Sequence, residues 1–249
     1  MEQEKGIITS PGGRSDPWAS IVKDGIVKAW PICLGYVPIG LAFGVIAQKA
    51  GLGPLEIGMM SVLVFAGSAQ FIGVSMLSAG AGFIPIVMTT FMVNLRHLLM
   101  SSSLAVYLRG INRGRLSLFA YGVTDESFAM NLTLFRETGW DWRRGLVLNH
   151  TANVSWIVST IAGGYGGQFI PAGAFGIDYA LIGMFLCLIV FQLRGMLYVI
   201  IAAIAGLLAV VISLVVPGNS YIVIASILSA TIGLVMRRAG YFKEEEQAS

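Results

Sequence analysis

Three polar side chains capable of binding or proton chemistry stand near the middle of an otherwise apolar stretch from Phe83 to Tyr107: Asn94, Arg96 and His97. A helix of that length rises about 37 Å, which exceeds the ~30 Å hydrocarbon core of a bilayer. Arg96 would therefore lie at membrane depth, where a charge costs about 3 to more than 10 kcal/mol. The stretch predicts a solute or ion site around Arg96. The alternative is that Arg96 reaches the membrane surface or forms a purely structural pair.

Helical periodicity divides the polar residues of this segment between two stripes. One stripe recurs at spacings of three and four residues and consists of Thr90, Asn94, His97 and Ser101. The other lies nearly opposite and consists of Thr89, Arg96 and Ser103. Because neither stripe can face lipid cheaply, we expect this helix to run through the middle of a bundle or to be interrupted near Asn94.

Carboxylates at membrane depth are scarce in this chain. Only Asp125 and Glu126 lie well inside an apolar segment, at 116–135. Since an unpaired guanidinium would be costly there, we predict that Arg96 meets one of them directly or through water. A zwitterionic solute needs one cationic and one anionic partner. Arg96 suits its carboxylate, and Asp125 or Glu126 suits its ammonium group or a coupled proton.

Two further segments place polar or small residues at membrane depth. Residues 57–79 are interrupted at 66–70 by Ala-Gly-Ser-Ala-Gln, which favours a broken helix or re-entrant hairpin. A continuous helix with a small-residue packing face is the alternative. One helical face of 146–170 carries Asn149, Asn153, Trp156 and Thr160. We expect that face to meet another helix or a water-filled cavity. The candidate lining of a substrate or ion path is Gly67, Ser68, Gln70, Asn94, Arg96, His97, Asp125, Glu126, Asn153 and Trp156.

The composition predicts an all-α, polytopic membrane protein. Of 249 residues, 56% are hydrophobic and 12% charged, and the runs 57–95, 145–177 and 195–236 contain no Asp, Glu, Lys or Arg. No soluble domain is built this way, and the short alternating segments of a barrel are absent. The small-residue pairs Gly40/Gly44 and Gly163/Gly167 should pack helices within the chain, or else dock a partner.

Other function classes lack their sequence signals. Cys33 and Cys187 both lie in apolar segments, so neither a disulfide framework nor a thiolate metal site is indicated. There is no nucleotide-binding loop, and we expect no cofactor, no metal and no nucleic-acid partner. The apolar run begins only after 28 more polar residues, so no cleavable signal peptide is expected.

The placement of Lys and Arg predicts the topology. They gather in the N-terminal part, in 109–115 and 136–144, at Arg194 and in 237–243, whereas the turns 80–82, 171–178 and 217–220 carry none. By the positive-inside rule both basic loops around 116–135 lie on the cytoplasmic side, as do both termini. We therefore expect a helical bundle with about six full spans, at 30–48, 83–107, 146–170, 179–193, 195–216 and 221–236. Two broken or re-entrant segments, 57–79 and 116–135, complete it. Eight simple crossings are the alternative.

The expected domain organisation is simple. Residues 1–29 form a cytoplasmic tail and an interfacial helix from Trp18 to Lys28. Residues 30–238 form a single transmembrane transport domain. Residues 239–249 form an acidic cytoplasmic tail.

Several motifs resemble those of the AzlC family of membrane permeases. They are Gly35-Tyr-Val-Pro38-Ile-Gly40-Leu-Ala-Phe43-Gly44, Ala66-Gly67-Ser68-Ala69-Gln70-Phe71, Asn94-Leu95-Arg96-His97, Asp125-Glu126-Ser-Phe128 and Asn153-Val-Ser-Trp156. The likeness covers residues from about 20 to 215, and the Asn-Leu-Arg-His run is its most specific part. The resemblance implies a multi-pass permease of the bacterial inner membrane that exports branched-chain amino acids. It also implies a separately encoded small partner subunit of the AzlD type.

The function expected on these grounds is secondary transport driven by the proton gradient. The substrates would be valine, leucine and isoleucine, with methionine as a further candidate. A channel or ion-coupled carrier for another small solute is the alternative, built from the same residues. A hydrolase using Ser68 with His97 is a third reading, but the run around Ser68 lacks the flanking glycine of a nucleophile elbow. We therefore expect no catalytic residues.

Overall fold

All regular secondary structure in the part of the chain described here is helical. The computed structural model describes residues 17–137, 139–169, 196–215 and 220–238, together with Tyr179, Gly183, Leu186 and Val190. Its α-helices are α1 (Trp18–Lys49), α2 (Pro54–Leu63), α3 (Gly67–Ser78), α4 (Phe83–Leu104), α5 (Arg113–Tyr121), α6 (Asp125–Glu137), α7 (Trp142–Gly166), α8 (Met196–Ser213) and α9 (Ser220–Arg238). Short 3-10 turns follow α4 at Ala105–Tyr107 and α7 at Gly167–Phe169. The expected all-α fold is confirmed.

Three of the described helices are long and apolar enough to cross a membrane. They are α1, the segment Phe83–Tyr107 formed by α4 and its 3-10 turn, and α8. The chain is therefore a multi-pass membrane protein. The expected span at 179–193 lies outside the continuously described residues, and the total of about six spans remains a prediction.

The helices α1 and α7 pack along their length and run in the same direction. Gly25 of α1 faces Val147 near the start of α7, whereas Gly44 meets the backbone around Thr160 and Gly163 near its end. A Cβ at Gly44 would clash with the Thr160 carbonyl oxygen, so the bare glycine backbone permits this close approach. The small-residue faces thus serve packing within the chain rather than a docking surface for a partner.

The helix α1 begins earlier than the first span expected at 30–48. The helix continues without a break from Trp18 through Lys28, Pro31 and Pro38. The segment expected as a separate interfacial helix is therefore the first part of α1. Its Asp24 carboxylate accepts from the Arg144 guanidinium at 2.9 Å, which ties this part to the start of α7.

The helices α2 and α3 form a first hairpin, broken at 64–66. Phe65 adopts φ +36°, a conformation that costs a residue with a bulky side chain. Beyond Phe65 the chain folds back on itself. The Met60 side chain of α2 lies beside Gly73 of α3, in van der Waals contact with the place where a Cβ on Gly73 would be. The Gln70 amide also donates to the Ser61 hydroxyl at 3.1 Å. The expected break is confirmed, and the continuous helix is wrong.

The helices α5 and α6 form a second hairpin, broken at 122–124, that enters from the opposite end of the bundle. Arg115 near the start of α5 lies over the ring of Trp142 at the start of α7. The Tyr107 ring, just after α4, stacks on Phe135 near the end of α6. Both ends of this hairpin therefore lie where α7 begins, as expected for a segment that enters and leaves on one side.

The two hairpins meet tip to tip beside the midpoints of α1 and α7. The rings of Phe65 and Tyr121 lie 6.0 Å apart, and the Tyr121 hydroxyl donates to the Val62 carbonyl, which the end of α2 leaves free. Each half-helix has 9 to 13 residues and is about 13 to 20 Å long, roughly half a bilayer. Paired broken helices of inverted direction are a common way to build a transport site at mid-membrane.

The position expected for α4 is wrong for the part of the chain that the structure describes. The helix is not interrupted near Asn94, and it lies at the edge of the bundle rather than in its middle. Three of its five hydroxyl groups need no neighbouring helix, because those of Thr90, Ser102 and Ser103 donate to carbonyl groups one turn earlier in α4 itself. Of its polar side chains, Arg96 and His97 line the cavity at the hairpin tips.

The helices α8 and α9 pack mainly against each other. Gly233 of α9 faces Ile201 of α8, as in an antiparallel pair. No residue of α8 is buried, so most of its apolar surface faces outward. This pair contributes no residue to the central site described below.

Candidate functional site

A small cavity lies where the two hairpin tips meet α1, α4 and α7. It encloses about 50 Å³, enough for about three or four water molecules. Ligand pockets for whole small molecules usually exceed ~300 Å³, so an amino acid does not fit in this conformation. The lining residues are Tyr36, Ile39, Phe65, Ala66, Gly67, Ser68, Arg96, His97, Thr124, Asp125, Glu126 and Trp156.

Arg96 joins the starts of the two inner half-helices, α3 and α6. Its Nη1 lies 2.8 Å from Oδ2 of Asp125, the first residue of α6, and its Nη2 donates to the hydroxyl of Ser68 on α3. The predicted ion pair is therefore confirmed, with Asp125 as the partner. The carboxylate also lies at a helix N-terminus, where the helix dipole favours negative charge. About a quarter of each side chain remains exposed, at 28% and 27%.

His97 is held in one tautomer by the second hairpin. Its Nδ1 lies 2.8 Å from the carbonyl oxygen of Val123, and a carbonyl can only accept. Nδ1 therefore carries a hydrogen, which in the neutral ring leaves a lone pair on Nε2. That nitrogen is buried and has no hydrogen-bond partner among the described residues. His97 thus supplies a free acceptor within the cavity wall.

Glu126 belongs to a chain of hydroxyl groups. The Tyr36 oxygen lies 2.7 Å from Oε2 of Glu126 and 2.7 Å from Oγ1 of Thr124. Since a phenol has one hydrogen, Tyr36 donates to the carboxylate and accepts from Thr124. Thr124 and Ser127 exchange backbone and hydroxyl contacts at the start of α6 in the manner of a capping box. Tyr36 thereby ties α1 to the tip of the second hairpin.

Trp156 forms the apolar wall and anchors the first hairpin. Its ring stacks on Phe43 and meets Tyr36 edge-on, with centroids 6.1 and 5.4 Å apart. Its Nε1 donates to the Gln70 amide oxygen at 2.9 Å. The Gln70 nitrogen in turn bonds Ser61, so this fully buried amide fixes the wall from behind rather than lining the cavity.

The structure brings most of the predicted site residues together. Those that line the cavity are Gly67, Ser68, Arg96, His97, Asp125, Glu126 and Trp156. The other three are Gln70, which lies behind the wall, Asn153, whose amide donates to Tyr121 at 3.4 Å, and Asn94. The side-chain amide oxygen of Asn94 is buried without a partner among the described residues.

Tyr36 and Thr124 are the polar lining residues that the sequence reasoning did not assign to the site. Thr124 had a readable signal, because a Thr-x-x-Ser run before an apolar segment marks a helix start, here at Asp125. Tyr36 had only a weak one, a single phenol in the apolar middle of α1.

The hydrolase reading finds no support in this geometry. The Ser68 hydroxyl accepts from Arg96, and His97 directs Nδ1 to a backbone carbonyl. Ser68 and His97 share no hydrogen bond, so the nucleophile and base are not paired. The cavity instead offers charged and polar groups suited to binding.

Comparison with known proteins gives consistent results. A family model described as AzlC protein matches residues 31–170, which include every cavity-lining residue. Inner membrane protein YgaZ of Escherichia coli strain K12 is 29% identical over 179 residues, 70% of this chain and 72% of that protein. The branched-chain amino acid transport protein AzlC of Bacillus subtilis strain 168 is 27% identical over 244 residues, 96% of this chain and 93% of that protein. No solved structure matches the chain.

Proposed function

Because this chain belongs to the AzlC family, we propose that it is a secondary transporter that exports branched-chain amino acids across the bacterial inner membrane. The observation that carries the proposal is the Arg96–Asp125 ion pair, held between the starts of two broken helices. A zwitterion presents the same two charges as this pair. Its carboxylate can replace Asp125 at Arg96, while its ammonium group replaces Arg96 at Asp125. The exchange leaves no charge stranded in the membrane.

The cavity wall matches an aliphatic side chain. Ile39, Phe65 and Trp156 supply apolar surface opposite the charged groups. The start of α3 adds a second attraction for a carboxylate, because Ala66 provides no side-chain cap and the helix dipole is positive there. Valine, leucine and isoleucine fit this division into charged head and apolar tail, and methionine is a further candidate.

Binding requires the cavity to open. With about 50 Å³ the site holds water but no amino acid, so the hairpin tips must separate from each other or from α4 and α7. The hairpins enter from opposite ends, and movement of one or the other would open the site to one side at a time. Alternating access of this kind fits a transporter.

The remaining features of the proposal concern coupling and assembly. We assign the driving force to the proton gradient, with both termini in the cytoplasm. A small AzlD-type subunit completes the permease. The bilayer surrounds the apolar outer faces of α4 and α8.

Counterflow in proteoliposomes tests the transport function. Vesicles loaded with unlabelled valine, leucine, isoleucine or methionine should take up the same radiolabelled amino acid, whereas vesicles loaded with lysine or glutamate should not. The assay is run with the chain alone and with the small subunit, and we expect full activity only with both. Absence of exchange for all four apolar amino acids in the complete assembly would refute the function.

A channel or ion-coupled carrier for another small solute is the second candidate. The cavity volume favours it, because three or four waters or a single ion fit without any movement. In the same vesicles a channel would release the labelled solute down its gradient without accelerated exchange. Exchange that is faster than net efflux excludes this candidate.

A further inference from the structure

The charges in the cavity leave one carboxylate uncompensated. Its lining contains one guanidinium and two carboxylates, and Asp125 takes the guanidinium at 2.8 Å. Glu126 forms no ion pair with any cation of the described residues. Its Oε2 instead accepts a hydrogen bond from the Tyr36 hydroxyl at 2.7 Å. Glu126 is also exposed, whereas Asp125 is half-buried. A single extra negative charge at this depth calls for a positive charge to balance it.

The hydroxyl chain beside Glu126 can satisfy both of its protonation states. With Glu126 ionised, Tyr36 donates to the carboxylate and Thr124 donates to Tyr36. With Glu126 protonated, its acidic hydrogen can go to the Tyr36 oxygen, and the Tyr36 hydrogen turns to Thr124. The Thr124 hydrogen then points to Ser127, 3.3 Å away, while Ser127 keeps its bond to the Gly122 carbonyl at 3.1 Å. The hydrogens reorient and the heavy atoms need not move.

The Arg96–Asp125 pair has no such freedom. Arginine only donates, and an ionised carboxylate only accepts, so protonation of Asp125 would break the pair and strand the guanidinium. The two acidic residues therefore differ in role although they are adjacent in sequence.

We propose that Glu126 is the residue that carries the coupling proton, with Tyr36 and Thr124 as the hydroxyl pair that accommodates its two states. The proposal rests on the proposed transport function. A proton from one side of the membrane adds to Oε1 or Oε2 of Glu126, giving a neutral carboxyl group, and leaves to the other side after the hairpins have moved. The step involves no oxidant, reductant or covalent intermediate.

Other titratable or charged groups around Glu126 define the competing sites. Tyr36 approaches from α1, Arg96 and His97 from α4, and Asp125 precedes it on α6. His97 is the main competitor, because its free Nε2 can also take a proton. Its charge would however add to that of Arg96, the preceding residue, whereas a proton on Glu126 removes the uncompensated charge.

Accumulation driven by a pH gradient tests the proposal. With the membrane potential held at zero by equal K⁺ on both sides and valinomycin, vesicles one pH unit more acid inside than outside should concentrate radiolabelled leucine about tenfold if one proton exchanges for one amino acid. We expect Glu126→Gln to lose this accumulation and equilibrate at about onefold, while counterflow continues. Glu56→Gln is the matched control. Glu56 accepts from the Gly53 backbone at the start of α2, far from the cavity, and glutamine keeps that bond, so tenfold accumulation should persist.

A second variant keeps the proposal falsifiable if Glu126→Gln is poorly folded. Tyr36→Phe retains the ring packing on Trp156 but removes the hydroxyl, so we expect counterflow to persist and accumulation to fall well below tenfold. Tenfold accumulation by Glu126→Gln or by Tyr36→Phe would overturn the assignment. The assignment would also be overturned if His97→Gln lost the accumulation while Glu126→Gln kept it.

The results also separate this proposal from the transport function. If Glu126→Gln abolishes counterflow while remaining monodisperse, Glu126 binds the substrate ammonium group instead, and the proton assignment is wrong. If the wild-type assembly shows no counterflow at all, the transport function itself fails.

Discussion

Arg96 shows how far a single residue can be understood from its depth in the membrane. A guanidinium at that depth needs a carboxylate, and the chain has only two candidates in the adjoining apolar segments. The sequence therefore predicted the ion pair. It did not distinguish Asp125 from Glu126, because that choice depends on the residue at which α6 begins and on the direction of its first turn.

Substitutions of Arg96 should separate folding from transport. We expect Arg96→Ala to lower the free energy of unfolding by somewhat less than the ~3–5 kcal/mol typical of a fully buried pair, because both side chains are about a quarter exposed. We expect Arg96→Ala to abolish transport and Arg96→Lys to transport poorly, since lysine cannot bind Asp125 and Ser68 with one planar group. Thermal unfolding in detergent and counterflow measure the two effects. Arg113→Ala, in an exposed position, is the control.

A double substitution tests whether the pair acts in transport. Arg96→Met combined with Asp125→Asn removes both charges, so expression and thermal stability should recover while counterflow stays absent. Normal counterflow by the double variant would mean that the charges are structural only.

Site residues could be predicted from the sequence where their type is unusual at membrane depth. Ser68, Asp125 and Trp156 stand out as polar or aromatic residues at membrane depth, and all three line the cavity. Tyr36 does not stand out, because its role depends on where α1 passes the tip of a hairpin more than 80 residues later. No spacing within α1 contains that information.

At the scale of helices, breaks were easier to predict than positions. The polar and small residues at 66–70 indicated one broken segment, the basic loops on both sides of 116–135 indicated the other, and both breaks are present. The first lies slightly earlier than expected, at 64–66, where Phe65 has a positive φ that sequence does not reveal. The placement of α4 was wrong, because serine and threonine hydroxyls can be satisfied within their own helix.

The packing of α1 on α7 makes a prediction about glycine. Gly44→Ala should separate the two helices, since its Cβ would clash with the Thr160 carbonyl and the Gly164 nitrogen. Overpacking of this kind costs about 1–3 kcal/mol or more, so we expect a lower melting temperature and a lower yield of monodisperse protein. Gly35→Ala, on the same helix with no atom within 4 Å of the new methyl group, should leave both unchanged. Equal melting temperatures for the two variants would contradict the packing described here.

At the scale of the whole molecule, the direction of the hairpins determines which loops share a side. The starts of α5 and α7 lie together, so Arg113 and Arg143 should lie on one side and the turn around Ala81 on the other. In a chain with Cys33 and Cys187 replaced by serine, an impermeant maleimide outside the cell should label Ala81→Cys. It should fail to label Arg113→Cys and Arg143→Cys until the membrane is opened. External labelling at position 113 would instead favour eight simple crossings.

The joining of α1 to α7 also has a consequence for how the protein is made. The Ser159 hydroxyl of α7 bonds the Tyr36 carbonyl of α1, and 123 residues separate them. At about 5–20 residues per second the ribosome needs roughly 6–25 s to produce the second partner after the first. During that interval the face of α1 that carries Gly25 and Gly44, and both hairpins, have been synthesised without α7, the helix against which they later pack. The nascent chain therefore depends on lipid, the insertion machinery or a membrane chaperone to keep these surfaces apart until α7 arrives.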